Sequence, residues 1–314
     1  MHIVTGGAGF IGSNLVRQLI QLTGDDVTVV DDLSNGHKFT NIADLAIADY
    51  LDKDEFLERL TSTAAFKSGI QSIFHQGACS VTTEWDGRFM MRNNYDYSKH
   101  LLHHCLTHDI PLIYASSGAV YGGAAAFSES PENESPLNVY GYSKLLFDQY
   151  VRRLQRDPEQ QVVGLRYFNV YGPNERHKGP MASVAFHFNE QLVKDGEARL
   201  FEGSGGYGDG EQRRDFVYVD DVCAVNLWFL ENRHVSGIFN VGTGKAQSFN
   251  DVAKAAIDWH GKGRIRYVPF PATLAGAYQS FTEADLTMLR ESGCDVEFRA
   301  VEAGVRTYLD SMAR

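Results

Sequence analysis

Cysteine is scarce in this 314-residue chain: four are present, Cys79, Cys105, Cys223 and Cys294, and no two stand in C-x-x-C spacing. That pattern excludes a disulfide framework or a thiolate zinc site and suits small buried hydrophobes in a reducing compartment. Positive charge is also in deficit, with 29 Lys and Arg against 40 Asp and Glu for a net charge of −11. A broad nucleic-acid or anionic-membrane surface is thereby excluded, because such binding draws on clustered Lys and Arg, and any phosphate must be held locally. No apolar run reaches the length of a membrane span. The opening Met-His-Ile-Val-Thr-Gly-Gly runs straight into a strand and a glycine turn, without the charged and apolar regions of a signal peptide. A soluble, cytoplasmic protein is expected. The histidines form no H-E-x-x-H, and His103 and His104 point to different sides of a helix, so no metal is expected. Internal repeats and low-complexity tracts are lacking as well.

What is present is alternation. Short β-branched runs at His2 to Thr5, Val27 to Val30, Ser72 to His75, Leu112 to Ala115 and Val162 to Arg166 alternate with helical patterns. The helical patterns lie near Ile11 to Gln21, Lys53 to Leu60, Asn94 to Thr107 and Tyr142 to Leu154. Repeated βαβ units of this kind predict an α/β fold, a doubly wound, mostly parallel sheet of the Rossmann type with a smaller α/β substrate-binding lobe. The rhythm loosens after Arg166, and the Gly172 to Pro180 stretch leads to a helix near Met181 to Val193. Five glycines between Gly203 and Gly210 predict a mobile loop. Further strands are expected at Phe216 to Val219, Ile238 to Val241 and Ile265 to Val268. Helices are expected at Val222 to Glu231, Phe249 to His260, Glu283 to Ser292 and Ala300 to Met312. The expected division puts residues 1–168 with 217–242 in a dinucleotide-binding domain and 169–216 with 243–314 in a substrate-binding domain.

Between the first strand and helix stands Thr5-Gly6-Gly7-Ala8-Gly9-Phe10-Ile11-Gly12, with glycines Gly6, Gly9 and Gly12 in G-x-x-G-x-x-G spacing. A turn of this kind brings backbone N–H groups and a helix N-terminus against a pyrophosphate, where side chains would obstruct. A glycine turn alone also serves many α/β proteins, but Asp31 and Asp32 close the second strand about twenty residues on, where an acid can take ribose hydroxyls. Dinucleotide binding is therefore expected. A carboxylate there repels the 2′-phosphate of NADP while Lys38 attracts it, so NADP and NAD both stay open at this point.

Tyr140 and Lys144 stand four apart at the start of a helical pattern, on one face. A tyrosine is too weak a base at neutral pH, with an ordinary pKa near 10, unless a nearby ammonium and an oxidised nicotinamide favour its phenolate. Ser117, after the strand ending at Ala115, would hydrogen-bond the same substrate oxygen, with Ser116 as the alternative. Tyr-x-x-x-Lys is a common surface pair; behind a dinucleotide fold it points to redox chemistry.

These residues resemble the extended short-chain dehydrogenases/reductases, and within them the branch that epimerises C6 of ADP-activated manno-heptose. The resemblance spans nearly the whole chain. It rests on Gln76-Gly77-Ala78-Cys79-Ser80 followed by Thr82-Thr83-Glu84-Trp85-Asp86-Gly87, on Arg166-Tyr167-Phe168-Asn169-Val170-Tyr171-Gly172-Pro173, and on His177-Lys178-Gly179 with Met181-Ala182-Ser183. Phe201-Glu202-Gly203-Ser204 and Arg214-Asp215-Phe216-Val217-Tyr218 complete it. The resemblance implies interconversion of the D-glycero and L-glycero forms of ADP-manno-heptose, for the lipopolysaccharide inner core, by oxidation and re-reduction with bound NADP. It implies Tyr140 and Lys178 as the two bases, aided by Lys144 and Ser117; Lys178 alone would pass for a solvated loop lysine. Cofactor contacts implied are Phe10, Ile11, Asp31, Asp32, Lys38, Lys53, Gln76 to Ser80, Asn93, Lys144, Val170 and Lys178. Implied substrate contacts are Asn169, His187, Phe201 to Ser204, Arg214 and Tyr278. Arg214 suits a diphosphate because its planar fork donates two parallel hydrogen bonds. A homo-oligomer, a pentamer, is implied too.

The chain departs from the family pattern in three places. Asp32 stands where an uncharged residue is usual, Pro180 where a serine is usual, and the loop from Gly205 to Gln212 is longer. Competing activities fare less well. A dehydratase needs an acid and a base beside the hydroxyl partner, where Gly118 and Ala119 can transfer no proton. A UDP- or dTDP-sugar 4-epimerase is separated by Lys178 and its flanking motif, and a non-catalytic NADP-binding redox sensor has no use for Tyr140 and Lys144.

Overall fold

A computed structural model of the protein describes residues 1–61, 69–154, 160–271 and 279–313. The chain opens with β1 (His2–Thr5), α1 (Phe10–Thr23) and β2 (Val27–Asp31), followed by β3 (Asp49–Asp52), α2 (Lys53–Thr61) and β4 (Ser72–His75). Next come α3 (Gly87–Met90), a π-helical stretch Met91–Asp96 and α4 (Tyr97–His108), then β5 (Leu112–Ser117), α5 (Val139–Leu154), β6 (Val162–Tyr167) and β7 (Asn169–Tyr171). A 3-10 segment Arg176–Met181 precedes α6 (Val184–Asp195), β8 (Glu197–Phe201), β9 (Arg213–Arg214), β10 (Phe216–Tyr218) and α7 (Val219–Glu231). The rest is β11 (Gly237–Val241), β12 (Gln247–Ser248), α8 (Phe249–His260), β13 (Arg264–Val268), α9 (Thr287–Glu291) and α10 (Val301–Met312).

Seven strands form one sheet in the order β11-β6-β5-β4-β1-β2-β3, and every pairing in it is parallel. The reason lies in strand composition. Adjacent residues along each strand serve opposite faces: Val4, Phe74, Ile113 and Val163 pack on one side with α1 and α7, while Ile3, Ile73, Leu112 and Val162 pack on the other. All eight are fully or almost fully buried. A third cluster, with Phe186, Leu192, Leu200, Ala253 and Leu309, packs α6, α8 and α10 over the ladder β8–β13. Short ladders β7–β10 and β9–β12 join this cluster to the main sheet.

Several boundaries differ from the sequence expectation. Helix α6 starts at Val184, not Met181, because the Ser183 hydroxyl accepts the Phe186 N–H and caps it, while Met181 belongs to the 3-10 segment. Val219 begins α7 instead of ending a strand, and only Thr287–Glu291 of the expected Glu283 to Ser292 helix is helical. The expected Asn94 to Thr107 helix begins further back, at Gly87, through the π-helical stretch. Strands β3, β7, β8, β9 and β12 were not anticipated: they are short, or, like Asp49–Asp52, half-exposed at the sheet edge. The glycine-rich segment has no regular structure, as expected, and carries several internal hydrogen bonds. Gly203 N–H donates to Asp209 at 2.8 Å, Gly210 N–H to the Phe201 carbonyl at 3.0 Å, and Gln212 Nε2 to Ser204 Oγ at 3.0 Å.

Candidate functional site

The carboxyl ends of β1, β2, β4 and β5 open onto a cleft of about 620 Å³. Its floor is the glycine turn. Gly6 has φ +67°, and a Cβ there would lie 2.6 Å from Gly77 N and Cα, so the turns after β1 and β4 touch backbone to backbone. A Cβ on Gly12 would come within 2.1 Å of the Gly6 carbonyl oxygen, so only glycine lets α1 start this close to the turn. The Asp31 carboxylate accepts the Ala8 N–H at 2.8 Å, the Asp32 N–H at 2.7 Å and the Lys38 ammonium at 2.9 Å. Its oxygens brace the turn. Asp32 faces a smaller recess of about 170 Å³ that also includes Lys53, Cys79 and Asn93. Hydrogen bonds from Ser34 hold the Asp32 carboxyl below its usual range, with Lys53 and Lys38 adding to the effect.

Farther along the cleft stand Ser117, Tyr140 and Lys144. The two adjacent serines are told apart by strand geometry. Ser116 is buried and donates to Asp148 Oδ2 at 2.9 Å, whereas Ser117 faces the cleft, accepts the Ala119 N–H at 3.1 Å and hydrogen-bonds the Tyr140 phenol. Burial raises the Tyr140 pKa, opposed by the Ser117 bond. Lys144 donates to the Ala115 carbonyl at 2.7 Å, and burial pulls it down to about 8, opposed by Asp148. That bond takes one of the three N–H donors of the ammonium.

Helix α5 is fixed from behind. Asp148, one turn past Lys144, accepts Tyr114 OH at 3.0 Å and the Nε of Arg166 at 2.9 Å; Arg166 also contacts Glu134 and Tyr121, and none of its side chain is exposed. The π-helical stretch adds a second anchor. Asn94 exchanges hydrogen bonds with the backbone N–H and carbonyl of Cys79 at 2.8 and 2.9 Å, and donates to Ser143 Oγ at 3.0 Å. It thereby ties the loop after β4 to the helix of Tyr140.

Opposite Phe10 lies the 3-10 segment with Lys178, whose Nζ sits 5.0 Å from the Phe10 ring centre. Burial lowers the Lys178 pKa, opposed by Glu175. This segment is stitched to the glycine-turn side. Asn14 donates to the Pro173 carbonyl at 3.0 Å, Asn174 to Ser13 Oγ at 3.0 Å, Asn35 to the His177 carbonyl at 3.4 Å, and Asn41 Nδ2 lies 3.2 Å from His177 Nδ1.

The two recesses bring together every residue expected at the cofactor: Gly9, Phe10, Ile11, Gly12, Gln76, Ser80, Lys144, Val170 and Lys178 line the larger, Asp32, Lys53, Cys79 and Asn93 the smaller, and Gly6, Asp31, Lys38, Gly77 and Ala78 both. The expected substrate residues are more scattered. Asn169 borders the larger cleft; His187 is half-buried on α6 beside the Pro180 carbonyl. Phe201 packs on Phe270, and Glu202 to Ser204 continue into the glycine-rich loop away from the cleft wall. Arg214 is buried, 5.8 Å from the ring of Phe249, which itself borders the cleft. Tyr278 lies outside the described residues. Sequence reasoning missed His177, Met181, Phe216 and Phe249, among others, as cleft residues, although His177, Met181 and Phe216 sit inside motifs already singled out.

The glycine cradle, the acid at the end of β2 and the ammoniums of Lys38, Lys144 and Lys178 make a donor set that fits a nicotinamide dinucleotide. Comparison with known proteins agrees. The chain is 59% identical over 313 residues to ADP-L-glycero-D-manno-heptose-6-epimerase of Alkalilimnicola ehrlichii, covering 100% of this chain and 98% of the relative. The crystal structure of Helicobacter pylori ADP-L-glycero-D-manno-heptose-6-epimerase superposes with TM-score 0.86 at 32% identity, covering 99% of this chain and 96% of that one. Thermus thermophilus UDP-glucose 4-epimerase in complex with NAD superposes with TM-score 0.80 at 27% identity, covering 100% and 99%. Residues 2–242 match the NAD dependent epimerase/dehydratase family. With that match over most of its length, and the cleft its motifs assemble, the chain belongs to the NAD dependent epimerase/dehydratase family.

Proposed function

We propose that this chain is an isomerase that interconverts ADP-D-glycero-D-manno-heptose and ADP-L-glycero-D-manno-heptose by epimerising C6, a step toward the lipopolysaccharide inner core. The observation that carries the reading is that Tyr140 and Lys178, from distant parts of the sequence, border one cleft with the glycine turn. The 59% identity to an enzyme of that name supports the substrate.

A nicotinamide dinucleotide bound along the cleft supplies a hydride acceptor and donor. The protein's own work is proton handling and orientation. Ser117 holds the C6 hydroxyl by hydrogen bonding, and Tyr140 takes its proton as the ketone forms. Lys144 braces the strand end through Ala115. After the ketone turns, Lys178 gives a proton to its oxygen from the other side as the C–H bond is restored, so the sugar undergoes no net oxidation. The proton gained by Tyr140 is released to solvent and Lys178 takes one up from solvent, which resets both groups for the next turnover. A single fixed base would serve two orientations of one hydroxyl poorly.

The finer assignments are also ours. NADP is the favoured dinucleotide: Asp31 is occupied by the glycine turn, which lessens its repulsion of a 2′-phosphate, and Lys38 and Lys53 both border the recess beside it. We assign residues 1–168 with 217–242 to cofactor binding and 169–216 with 243–314 to the sugar nucleotide, supported by the separate packing cluster of α6, α8 and α10. His187, Phe201 to Ser204, Arg214 and Tyr278 are assigned to the substrate through the family resemblance. A cytoplasmic setting is supported by four free cysteines. A homo-oligomer is assigned through the family resemblance.

Incubation with ADP-D-glycero-D-manno-heptose, followed by separation of the C6 epimers, tests the proposal. The L-glycero form is expected to accumulate to equilibrium. Turnover of a UDP-hexose with an inert heptose would favour a 4-epimerase instead.

A further inference from the structure

Glu175 is fully buried and has no part in the roles above. Its Oε2 accepts the Ser183 N–H at 2.5 Å, while Oε1 accepts the Ser183 hydroxyl at 2.7 Å and the Gly172 N–H at 3.5 Å. The Tyr308 phenol, buried on α10, hydrogen-bonds it as well. One carboxylate therefore gathers donors from the end of β7, the cap of α6 and the C-terminal helix. Between Glu175 and Ser183 runs the segment that carries Lys178.

That segment has little of its own to hold a fixed shape. Within it, the Lys178 N–H donates to the Glu175 carbonyl and the Ala182 N–H to the Gly179 carbonyl, each at 3.0 Å. Gly179 has φ +53° and no neighbour within 4 Å of where a Cβ would stand, and both Gly179 and Pro180 are exposed. The Lys178 ammonium sits over the ring of Phe10. Its placement depends on the two ends of the loop and on His177, which Asn35 and Asn41 hold.

We propose that Glu175 is the positioning residue for Lys178: its carboxylate clasps both ends of the 175–183 loop to α10 and so sets where the ammonium stands in the cleft. The inference rests on the reading of Lys178 as the second proton-transfer group. The charge of the clasp also acts on that ammonium, against the effect of burial. Positioning of this kind acts on the rate of a bound substrate more than on its binding.

The test uses the cofactor-loaded enzyme and four proteins: wild type, Lys178→Met, Glu175→Gln and Tyr308→Phe. Gln keeps the length but removes the charge and sets an NH2 against the Ser183 donors; Phe leaves the charge and removes one donor. For Glu175→Gln we expect kcat to fall about ten- to a hundredfold, with KM for the ADP-heptose changed much less and cofactor content unchanged. The limb of the kcat–pH profile that depends on Lys178 should move to lower pH. Tyr308→Phe should lower kcat by a smaller factor with that limb in place. Folded, loaded Glu175→Gln with wild-type kcat and an unmoved limb overturns the clasp. If that variant does not fold, Tyr308→Phe decides: lowered kcat at unchanged KM supports the clasp, and wild-type kcat overturns it. Lys178→Met separates the two levels of the argument. Full activity there sinks the role of Lys178 and the clasp together, whereas an inactive Lys178→Met beside a normal Glu175→Gln sinks the clasp alone.

Discussion

Asn41 and His177 join opposite sides of the cleft: the Asn41 amide nitrogen donates to the Ala8 carbonyl at 2.9 Å and lies 3.2 Å from His177 Nδ1. A cofactor lying along the glycine turn is then enclosed by the chain from Pro173 to Lys178. Asn41→Ala removes both contacts at a cost of about 1–3 kcal/mol. Faster cofactor release is expected, seen as a lower bound fraction after gel filtration. A variant that retains cofactor as fully as wild type would show that the stitch does not govern release.

Tyr140→Phe and Lys178→Met should each lower turnover by about 10²–10⁴-fold, the usual share of a general acid or base. Both should stay folded, because neither side chain belongs to the core clusters, and cofactor-loaded, because the glycine turn and the acid end of β2 remain. Circular dichroism and cofactor absorbance check the second half of that statement, and epimer separation the first. Full activity in either variant refutes the role assigned to that residue.

Arg166 bridges two carboxylates with no exposed side-chain surface. Arg166→Met leaves Asp148 and Glu134 without their shared partner, a change that costs about 3–5 kcal/mol in buried networks. Urea unfolding should show the midpoint falling accordingly. An unchanged midpoint would mean that Ser116, Tyr114 and Arg152 satisfy the carboxylates unaided.

Lys144 yields a pH prediction. Its pKa is lowered from 10.5 to about 8 in the folded protein. Between those values the unfolded chain holds more protons than the folded one, so this group's contribution to stability rises with pH across that window and is smallest below it. The cofactor-free wild type minus Lys144→Met difference in Tm should therefore grow more positive from pH 8 toward 10. Buried tyrosines such as Tyr97 and Tyr121, whose pKa values are raised, are common to both proteins and cancel. A flat difference would contradict the burial of this ammonium.

Lys38→Ala separates the two dinucleotides. NADP affinity should fall at least about tenfold relative to NAD, equivalent to about 1.4 kcal/mol. Titration of the apoprotein with each dinucleotide measures the ratio. Equal losses for both would assign Lys38 to Asp31 and the turn alone.

The first half of the fold was readable because its strands are buried on both faces and its helices are long, so periodicity and composition agree. Edge strand β3, Asp49–Asp52, carries two exposed aspartates and hides that signal. The later ladders, of two to five residues, are too short for any period to show. At the site, the glycine turn and the Tyr140 and Lys144 pair are local patterns and were legible. The choice between Ser116 and Ser117 was not, because it depends on Asp148, 32 residues away, claiming one of them. The setting of Lys178 is likewise non-local, resting on Asn41, 136 residues from His177, and on Glu175. Asp31 shows a second use for an acid at the end of the second strand: its carboxylate accepts the Ala8 N–H and so serves the protein's own turn.

The π-helical stretch Met91–Asp96 holds Asn94 against Cys79 and Ser143 and presents Asn93 to the smaller recess. A π turn amounts to one surplus residue in an α-helix. Excising a single residue there would let the helix wind regularly from Gly87 to His108, but everything on one side of the cut would swing by about 100° relative to the other. A shortened chain could thus gain a more regular helix while its dinucleotide pocket lost registry with the Tyr140 helix, so local order and chemical competence pull against each other along this one stretch.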